Sequence, residues 1–208
     1  MTYFDFDNDY RHRGHLYLVG IDEAGRGPLA GPVFVAAVIL PPSFNDERIK
    51  DSKLLNQTEL IELSELIKKV ALDYRIVSMS PEDIDTLNIY QATKVGMLQA
   101  LNEIETEYHY VLSDAMPLGQ LKVGHEAIIQ GDAKSLSIAA ASILAKVARD
   151  AYMFELDLAY PHYDFKNNKG YPTKKHLEAL EIYGPVKGVH RFSYKPVRDA
   201  QNLQIKLF

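Results

Sequence analysis

The sequence predicts a mixed α/β fold, with a β-sheet flanked by helices and a small helical module at the C-terminal end. Three observations favour this class. Segments rich in β-branched and aromatic residues are bounded by glycine and proline, as strands are. They alternate with segments in which apolar residues recur at helical spacing. The C-terminal part carries only a helical pattern and loops, so helices should cover one sheet and extend beyond it.

Composition limits the class of protein further. The chain has 208 residues, of which 47% are hydrophobic and 25% charged, values typical of one globular domain. It has no cysteine, which excludes disulfide scaffolds, thiolate metal sites and cysteine nucleophiles. The N-terminus lacks a secretion signal, and the longest apolar runs are far shorter than the about 20 residues that span a membrane. We therefore expect a cytoplasmic monomer.

Five segments have strand character. They are Leu16–Asp22, Val33–Leu40, Tyr74–Met79, Tyr108–Ser113 and Ala127–Ile129. The second of these is apolar at every position, so both of its faces should be buried and it should lie inside the sheet.

Four segments have helical patterns. They lie after a cap at Asn56 or Thr58, from Ser80 to about Glu105, over Ser135–Ala148, and from about Thr173 to a stop before Gly184. The second begins with a capping serine, a proline and two acids, a strong helix start. The third is packed with alanine and serine and has almost no polar side, which predicts a buried helix pressed closely against the sheet.

The charge is distributed unevenly. The whole chain carries −5, but eight lysines and arginines against two acids give the stretch from Lys166 to Arg198 a net charge of +6. A stretch of this kind can grip a polyanion, although it can also be ordinary surface variation. We divide the chain into a core at 1–158, a basic helical and loop module at 159–200, and a tail at 201–208.

Four acids follow or end predicted strands: Asp22, Glu23, Asp114 and Asp132. Neighbouring strands bring their ends within about 5 Å of each other, so these carboxylates can converge. Gathered carboxylates repel one another unless a cation joins them, and without cysteine or a histidine pattern the fitting ion is Mg²⁺ or Mn²⁺. Acids after strands can also form turns or cap helices, and Asp132 in particular resembles a helix start.

A glycine-flanked turn, Gly25-Arg26-Gly27, follows the first two acids. Glycines let the backbone approach a ligand without interference from Cβ, so a turn beside a metal site could read a small group such as a 2′-hydroxyl. An ordinary turn is the alternative, because a G-x-G pattern alone is weak.

Together these segments resemble the bacterial ribonuclease HII family of the ribonuclease H-like superfamily. The matching stretches, in the family's order, are G-I-D-E-A-G-R-G-P-L-A-G-P-V (Gly20–Val33), D-S-K-L-L (Asp51–Leu55), A-A-A-S-I-L-A-K-V-A-R-D (Ala139–Asp150), K-G-Y-P-T (Lys169–Thr173) with His176, and H-R-F-S-Y-K-P-V (His190–Val197). The resemblance implies a ribonuclease H-like fold and metal-dependent hydrolysis of RNA in RNA–DNA duplexes, including single ribonucleotides embedded in DNA.

The resemblance also implies roles for individual residues. Asp22, Glu23, Asp114 and Asp132 match the family's metal-binding, catalytic carboxylates. The family usually has glycine after the third of these, where this chain has Ala115. Asp150 is the alternative fourth carboxylate, although an ion pair with Lys146, one helical turn earlier, would also explain it.

Substrate contacts follow from the same resemblance. Gly25, Arg26 and Gly27 match the element that contacts 2′-hydroxyls beside the scissile bond, and Tyr171 matches a ring that stacks on the sugar at the RNA-to-DNA junction. Lys53 and Lys146 are similar to phosphate contacts. Hydrolysis assisted by two Mg²⁺ or Mn²⁺ ions, which the resemblance also implies, would leave products with 5′-phosphate and 3′-hydroxyl ends.

The last five residues, from Gln204 to Phe208, resemble the Q-L-x-L-F peptide by which many bacterial replication and repair proteins bind the DNA sliding clamp. Gln204, Leu207 and Phe208 would be its anchors. Alternatively, the apolar side chains of this tail fold back onto the core.

Three other functions share part of this pattern. A DNA nuclease or transposase-like enzyme would use the same carboxylates but would have no use for a hydroxyl-reading turn. A glycosidase would pair two acids but usually has aromatic sugar platforms, and this chain has no tryptophan. A non-catalytic nucleic-acid-binding protein would keep the basic stretch but would not depend on metal.

Overall fold

The computed structural model describes residues 2–206 and confirms the predicted α/β class. Its strands are β1 (Leu18–Ala24), β2 (Val33–Ile39), β3 (Asp73–Met79), β4 (Tyr110–Asp114) and β5 (Gly124–Ile128). They form one sheet in the order β3-β2-β1-β4-β5. Because β1 is antiparallel to β2 but parallel to β4, and β4 is parallel to β5, the C-terminal ends of β1, β4 and β5 lie at the same edge of the sheet.

Eight α-helices occur within residues 2–206. They are α1 (Tyr3–His12), α2 (Gln57–Val70), α3 (Pro81–Leu87), α4 (Ile89–Glu103), α5 (Leu136–Ala159), α6 (Phe165–Asn168), α7 (Lys174–Tyr183) and α8 (Lys195–Lys206). In this part of the chain no helix is both long and apolar enough to cross a membrane.

The chain divides into two compact units, which are described separately below. The sheet unit comprises Met1–Ala24, Phe34–Val77 and Lys94–Val147, as far as these residues are described. The helical unit comprises Gly25–Val33, Ser78–Thr93 and the described part of Ala148–Phe208.

The core of the sheet unit lies on both faces of the sheet. Along β2, Ala36 and Val38 pack with apolar residues of α2 and α5, whereas Val35 and Ala37 pack with residues of α4 and β4. The strand is therefore buried on both sides, which confirms the prediction that it lies inside the sheet.

The buried helix α5 approaches the sheet very closely. Gly20 lies on β1 where a Cβ atom would meet the Ser137 carbonyl carbon at 2.1 Å, so only glycine fits at this position. The alanines and serines in the first turns of α5 permit this distance, and Ala139, Ala140 and Ala141 are fully buried. The predicted close packing of this helix is confirmed, although the helix continues to Ala159, beyond the predicted end at Ala148.

The helix starts follow their predicted caps. Asn56, rather than Thr58, caps α2 and forms a capping box with Glu59, while Ser80 caps α3 and forms one with Asp83. Thr173 caps α7, which ends at Tyr183 as predicted.

The single helix predicted from Ser80 to Glu105 is wrong, because Asn88 interrupts it. Asn88 has φ 67°, outside the helical region, so the hydrogen-bond ladder ends there. Its side-chain oxygen then accepts a hydrogen bond from the Gln91 N–H at 3.0 Å and starts α4. Helix α1, which precedes β1, was not predicted from the sequence.

In the helical unit, the apolar core surrounds Tyr163 and Phe165, which are fully buried and stacked at 5.3 Å between ring centroids. Met153 of α5, Leu180 of α7 and Val197 of α8 pack in the same cluster. These contacts give the C-terminal helices a core of their own.

Candidate active site

Three carboxylates converge at the shared edge of β1, β4 and β5. Asp22 lies on β1, Asp114 ends β4, and Asp132 lies in a short 3₁₀ turn, Gly131–Ala133, after β5. Each offers one carboxylate oxygen, and these oxygens all lie within 4.8 Å of one another. Among the described residues this is the only group of three or more acids or histidines that is close enough to hold a metal ion.

The turn after β5 brings Asp114 and Asp132 together. The Gly131 N–H donates to Asp114 Oδ1 at 2.7 Å, which ties the end of β4 to the turn that carries Asp132. A Cβ at Gly131 would lie 2.5 Å from the Ile138 side chain, so a larger residue would displace the turn. Gln130 enters it in the left-handed region with φ 55°.

The cluster is electrostatically unfavourable without a cation. Burial, followed by the negative charges of Glu23 and Asp114, raises the pKa of Asp22 well above its ordinary value. Burial and the nearby charge of Asp132 also raise the pKa of Asp114. Lys53 offsets part of this charge, because its ammonium group donates to Asp132 Oδ2 at 2.8 Å.

The donor set fits a hard divalent cation. All three groups are carboxylates, and oxygen ligands are those that Mg²⁺ and Mn²⁺ prefer. Burial is the main cause of the raised pKa of Asp22, and a divalent cation would relieve the repulsion from Glu23 and Asp114 that adds to it. Glu23, the fourth predicted carboxylate, follows Asp22 on β1 but lies outside the group of three.

A chain of hydroxyl groups supports Asp22. The Ser142 side chain on α5 hydrogen-bonds to the Asp22 carboxylate. Ser142 Oγ in turn lies 3.1 Å from Ser52 Oγ, in the segment that carries Lys53. The D-S-K segment and the buried helix α5 thus both contribute to the position of this carboxylate.

In the helical unit, the buried side chain of Arg191 supports the Gly25-Arg26-Gly27 turn. This guanidinium group is fully buried and donates to the carbonyl oxygens of Gly25 at 2.6 Å, Arg26 at 2.9 Å and Gly31 at 2.9 Å. The Tyr194 hydroxyl also donates to the Arg26 carbonyl at 2.8 Å. Gly25 itself has φ +100°, a conformation that side chains disfavour.

The ring of Tyr171 lies directly against this turn. A Cβ at Gly27 would be 3.0 Å from Tyr171 Cε1, so the missing side chain makes room for the ring. The Arg149 guanidinium carbon lies 5.9 Å from the ring centroid, within range of a cation–π contact. Tyr171 remains 43% exposed, and Arg26 and Gly27 are exposed, so ring and turn together form an accessible surface.

Two other predicted residues have different surroundings. Lys146 is half-buried on α5. Asp150 is buried, and its carboxylate accepts a hydrogen bond from Arg149 Nε at 2.7 Å, so the ion pair it makes is with its neighbour in sequence rather than with Lys146. Leu207, Phe208 and the Gln204 side chain, the predicted clamp anchors, lie outside what the structure describes.

Several residues that shape these sites were not predicted from the sequence. Ser142, Arg149 and Arg191 all lie inside stretches that carry the family resemblance, but no role was predicted for them. An arginine flanked by a histidine and an aromatic residue could have indicated a buried guanidinium, but its acceptors are backbone carbonyls, which leave no pattern in a sequence.

Solved structures share this fold. Ribonuclease H2 from Pyrococcus horikoshii OT3 matches with a TM-score of 0.77 and 24% sequence identity, over 89% of this chain and 97% of its own. A chain of the PCNA:RNase HII complex from Archaeoglobus fulgidus matches with a TM-score of 0.68 and 26% identity, over 87% and 96%. These structures share the ribonuclease H fold, and in this chain three carboxylates converge at one edge of its sheet.

Sequence comparison gives the family. The Ribonuclease HII family model matches residues 19–197. Ribonuclease HII from Desulfitobacterium hafniense (strain DSM 10664 / DCB-2) is 51% identical over 186 residues, which is 89% of this chain and 71% of the relative. The chain belongs to the ribonuclease HII family, and as a ribonuclease H it acts on RNA–DNA hybrids.

Proposed function

We propose that this protein cuts the RNA strand of RNA–DNA hybrids and also cuts on the 5′ side of a single ribonucleotide embedded in duplex DNA. The products would carry 5′-phosphate and 3′-hydroxyl ends. The observation that carries the proposal is the convergence of Asp22, Asp114 and Asp132 within 4.8 Å in a chain of this family. We assign Glu23 as the fourth carboxylate, with Asp150 as the alternative.

Two divalent ions, Mg²⁺ or Mn²⁺, are the proposed cofactors. When bound, such a pair activates a water molecule and stabilises the leaving oxygen of a phosphodiester. Asp22, Asp114 and Asp132 would hold them. Lys53, whose side chain is 73% exposed, would transfer its ammonium group from Asp132 to a substrate phosphate.

The surface formed by the glycine turn and Tyr171 supports recognition of a ribonucleotide. An exposed backbone turn at Arg26 and Gly27 can approach a 2′-hydroxyl, which distinguishes RNA from DNA. The adjacent ring of Tyr171 can pack on a sugar that lacks this hydroxyl. Lys146 and the basic module at 159–200 would contact the duplex backbone, where positive charge supplies affinity for phosphates.

One cleavage assay tests the proposed substrate. The protein is incubated with Mg²⁺ or Mn²⁺ and two DNA duplexes of the same sequence, of which one contains a single ribonucleotide. We expect a cut only in the duplex with the ribonucleotide, only with metal, and on the 5′ side of that residue. A DNA nuclease would cut both duplexes, and a non-catalytic binding protein would cut neither.

The chemistry of the ends tests the proposed mechanism. Hydrolysis by an external water leaves a 3′-hydroxyl that a DNA polymerase can extend and a 5′-phosphate that a ligase can join. Attack by the 2′-hydroxyl would instead leave a cyclic 2′,3′-phosphate, which supports neither reaction. Detection of the cyclic product by mass spectrometry would contradict the mechanism.

The C-terminal tail supplies a proposed partner. The sequence of Gln204, Leu207 and Phe208 is similar to clamp-binding peptides, and the Archaeoglobus fulgidus relative was solved in a complex with PCNA. Removal of residues 204–208 should abolish binding to a bacterial sliding clamp while cleavage of a short duplex stays unchanged. Equal clamp binding by the full and shortened chains would refute this partner.

A further inference from the structure

Two buried histidines of the helical unit have no role in the proposed chemistry. His176 lies in the first turn of α7 and His190 lies in the loop before α8, and their side chains are 0% and 1% exposed. Their Nε2 atoms are 3.2 Å apart, within hydrogen-bond distance. Paired imidazoles of this kind need one donor and one acceptor nitrogen, so the pair has a direction.

The groups at the two ends fix that direction. The Val186 backbone N–H donates to His190 Nδ1 at 3.0 Å, so Nδ1 carries no proton and the neutral ring holds its proton on Nε2. His190 Nε2–H therefore donates to His176 Nε2. His176 then holds its proton on Nδ1, which lies 3.0 Å from the Tyr171 carbonyl oxygen and donates to it. Because a backbone donor lies at one end and a backbone acceptor at the other, only one set of proton positions on the two neutral rings satisfies all three hydrogen bonds.

The surroundings of the pair keep both rings neutral. Tyr163 and Phe165 pack against both imidazoles, with centroid distances from 4.8 to 6.1 Å. Among the described residues, no carboxylate forms an ion pair with either histidine. Burial, followed by the charge of a protonated His176, lowers the pKa of His190 to about 3, and burial lowers the pKa of His176.

The carbonyl at the end of this chain belongs to the residue whose ring lies on the glycine turn. The Tyr171 N–H donates to the Asn168 carbonyl at 2.9 Å, and the Tyr171 carbonyl also accepts from the Thr173 N–H at 2.8 Å. With His176 as a third partner, the backbone on both sides of the Tyr171 Cα is fixed. A rotation of this backbone would move the ring away from Gly27.

The turn and the ring share one support. His190 pairs with Ala30 in an antiparallel bridge, and the next residue, Arg191, binds the carbonyls of Gly25 and Gly31. The segment after Arg191 is itself held by Asp85 of α3, which accepts from the Phe192 and Ser193 backbone N–H groups at 2.8 Å. One short segment therefore positions the turn directly and the ring through His176.

We propose that His190 and His176 are positioning residues, which hold Tyr171 against the Gly25–Gly27 turn through a directed hydrogen-bond relay and thereby set the selectivity for an RNA-to-DNA junction. The inference rests on the proposed role of Tyr171 in reading the sugar. It assigns to the buried H-R pair of His190 and Arg191 a function beyond packing.

Matched variants separate the relay from simple packing. His176→Asn keeps an N–H donor at the place of Nδ1, whereas His176→Leu removes it. His190→Gln keeps a donor toward His176, whereas His190→Leu removes it. We expect the two leucine variants to lower the ratio of kcat/KM for a single embedded ribonucleotide over that for a uniform RNA–DNA hybrid about tenfold, because small misplacements near the reacting bond are costly. His176→Asn and His190→Gln should restore most of the ratio.

A double variant tests whether the relay acts through Tyr171. Because Tyr171→Ala leaves no ring to position, adding His176→Leu to it should not lower the ratio further. Additive losses, or equal ratios for the leucine and amide variants, would overturn the proposal. Thermal unfolding of each variant identifies any loss that comes from stability alone.

Two measurements without substrate test the relay independently of the proposed function. Histidine-ring ¹⁵N–¹H spectra at neutral pH should show a neutral His176 protonated on Nδ1 and a neutral His190 protonated on Nε2. Amide hydrogen exchange at Thr173 should become faster in His176→Leu but not in His176→Asn. Opposite tautomers or unchanged exchange would overturn the relay, even if cleavage of the single ribonucleotide is confirmed. Failure of that cleavage with both results as expected would overturn the proposed function and the role of the relay in selectivity, but not the relay itself.

Discussion

The carboxylate cluster of the sheet unit and the glycine turn of the helical unit differ in how their buried charges are balanced. Asp22, Asp114 and Asp132 collect negative charge that Lys53 offsets only in part, and the pKa values of the first two are raised. The buried positive charge of Arg191, in contrast, is balanced by hydrogen bonds to three carbonyl oxygens. The cluster therefore needs a ligand, a divalent cation, to become favourable, whereas the carbonyls of the turn already have their hydrogen-bond donors within the protein.

The largest effect should come from removing one charge from the cluster. Asp22→Asn keeps the shape of the side chain but removes a carboxylate ligand, so cleavage of an RNA–DNA hybrid should fall at least about a thousandfold. Circular dichroism should show an unchanged fold. The matched change Asp9→Asn, at an exposed acid of α1, should leave the rate as it is. Near-normal cleavage by Asp22→Asn would show that the carboxylate cluster is not the active site.

Removal of the Arg191 guanidinium group tests whether the glycine turn depends on this donor. Arg191→Met leaves the carbonyls of Gly25 and Gly31 without their buried donor, and the free energy of unfolding should fall by about 3 kcal/mol. Arg198→Met, at an exposed arginine of the same basic module, is the control and should change stability little. Urea denaturation measures both. Similar small losses would mean that the turn does not depend on Arg191.

Acid should destabilise the helical unit through His190. Its pKa is about 3 in the folded protein against 6.5 ordinarily, so the unfolded chain binds the proton more readily and stability falls as the pH drops below 6.5. The contribution lost between pH 7 and pH 4 is about 3 kcal/mol. Burial also lowers the pKa of the neighbouring His176, so the informative quantity is the difference in stability between two proteins.

His190→Gln supplies that difference, since it removes the titrating group and retains a donor. Its unfolding free energy, measured in urea across the same pH range, should decline less steeply than that of the unchanged protein. Parallel curves would show that His190 is not buried in its neutral form.

The smallest effect concerns the residue after Asp114. Ala115 has φ 49°, in the left-handed region that glycine adopts without strain. Ala115→Gly should therefore raise the unfolding free energy by about 1 kcal/mol. Ala151→Gly, at an exposed position inside α5, should lower it by a similar amount. A loss in both variants would show that no strain is stored beside the cluster.

Much of the cluster could be predicted from the sequence, because strand ends mark where side chains meet. Asp22, Asp114 and Asp132 each follow or end an apolar segment, and parallel pairing then brings them together. The fold class and the capped helix starts follow from equally local patterns. The break at Asn88 does not, since a single residue with positive φ leaves the apolar period of the helix unchanged.

The features that could not be predicted from the sequence depend on contacts between distant parts of the chain. Asp7 looks like one of several acids in a polar N-terminus, yet it is fully buried and accepts hydrogen bonds from Ser135 and Ser137, more than a hundred residues away. The partners of Arg191 are carbonyls, which every residue has. The direction of the His190–His176 relay likewise becomes visible only when both backbone ends are placed.

The carboxylate cluster should be unfavourable until it holds a divalent cation. Thermal unfolding of the protein without nucleic acid, titrated with Mn²⁺, tests this most directly. At a concentration about tenfold above its Kd, bound Mn²⁺ should add about 1.4 kcal/mol to the stability of the protein, and Asp22→Asn should lose most of this gain. No stabilisation of the unchanged protein, or an equal gain in Asp22→Asn, would show that the cluster is not a cation site.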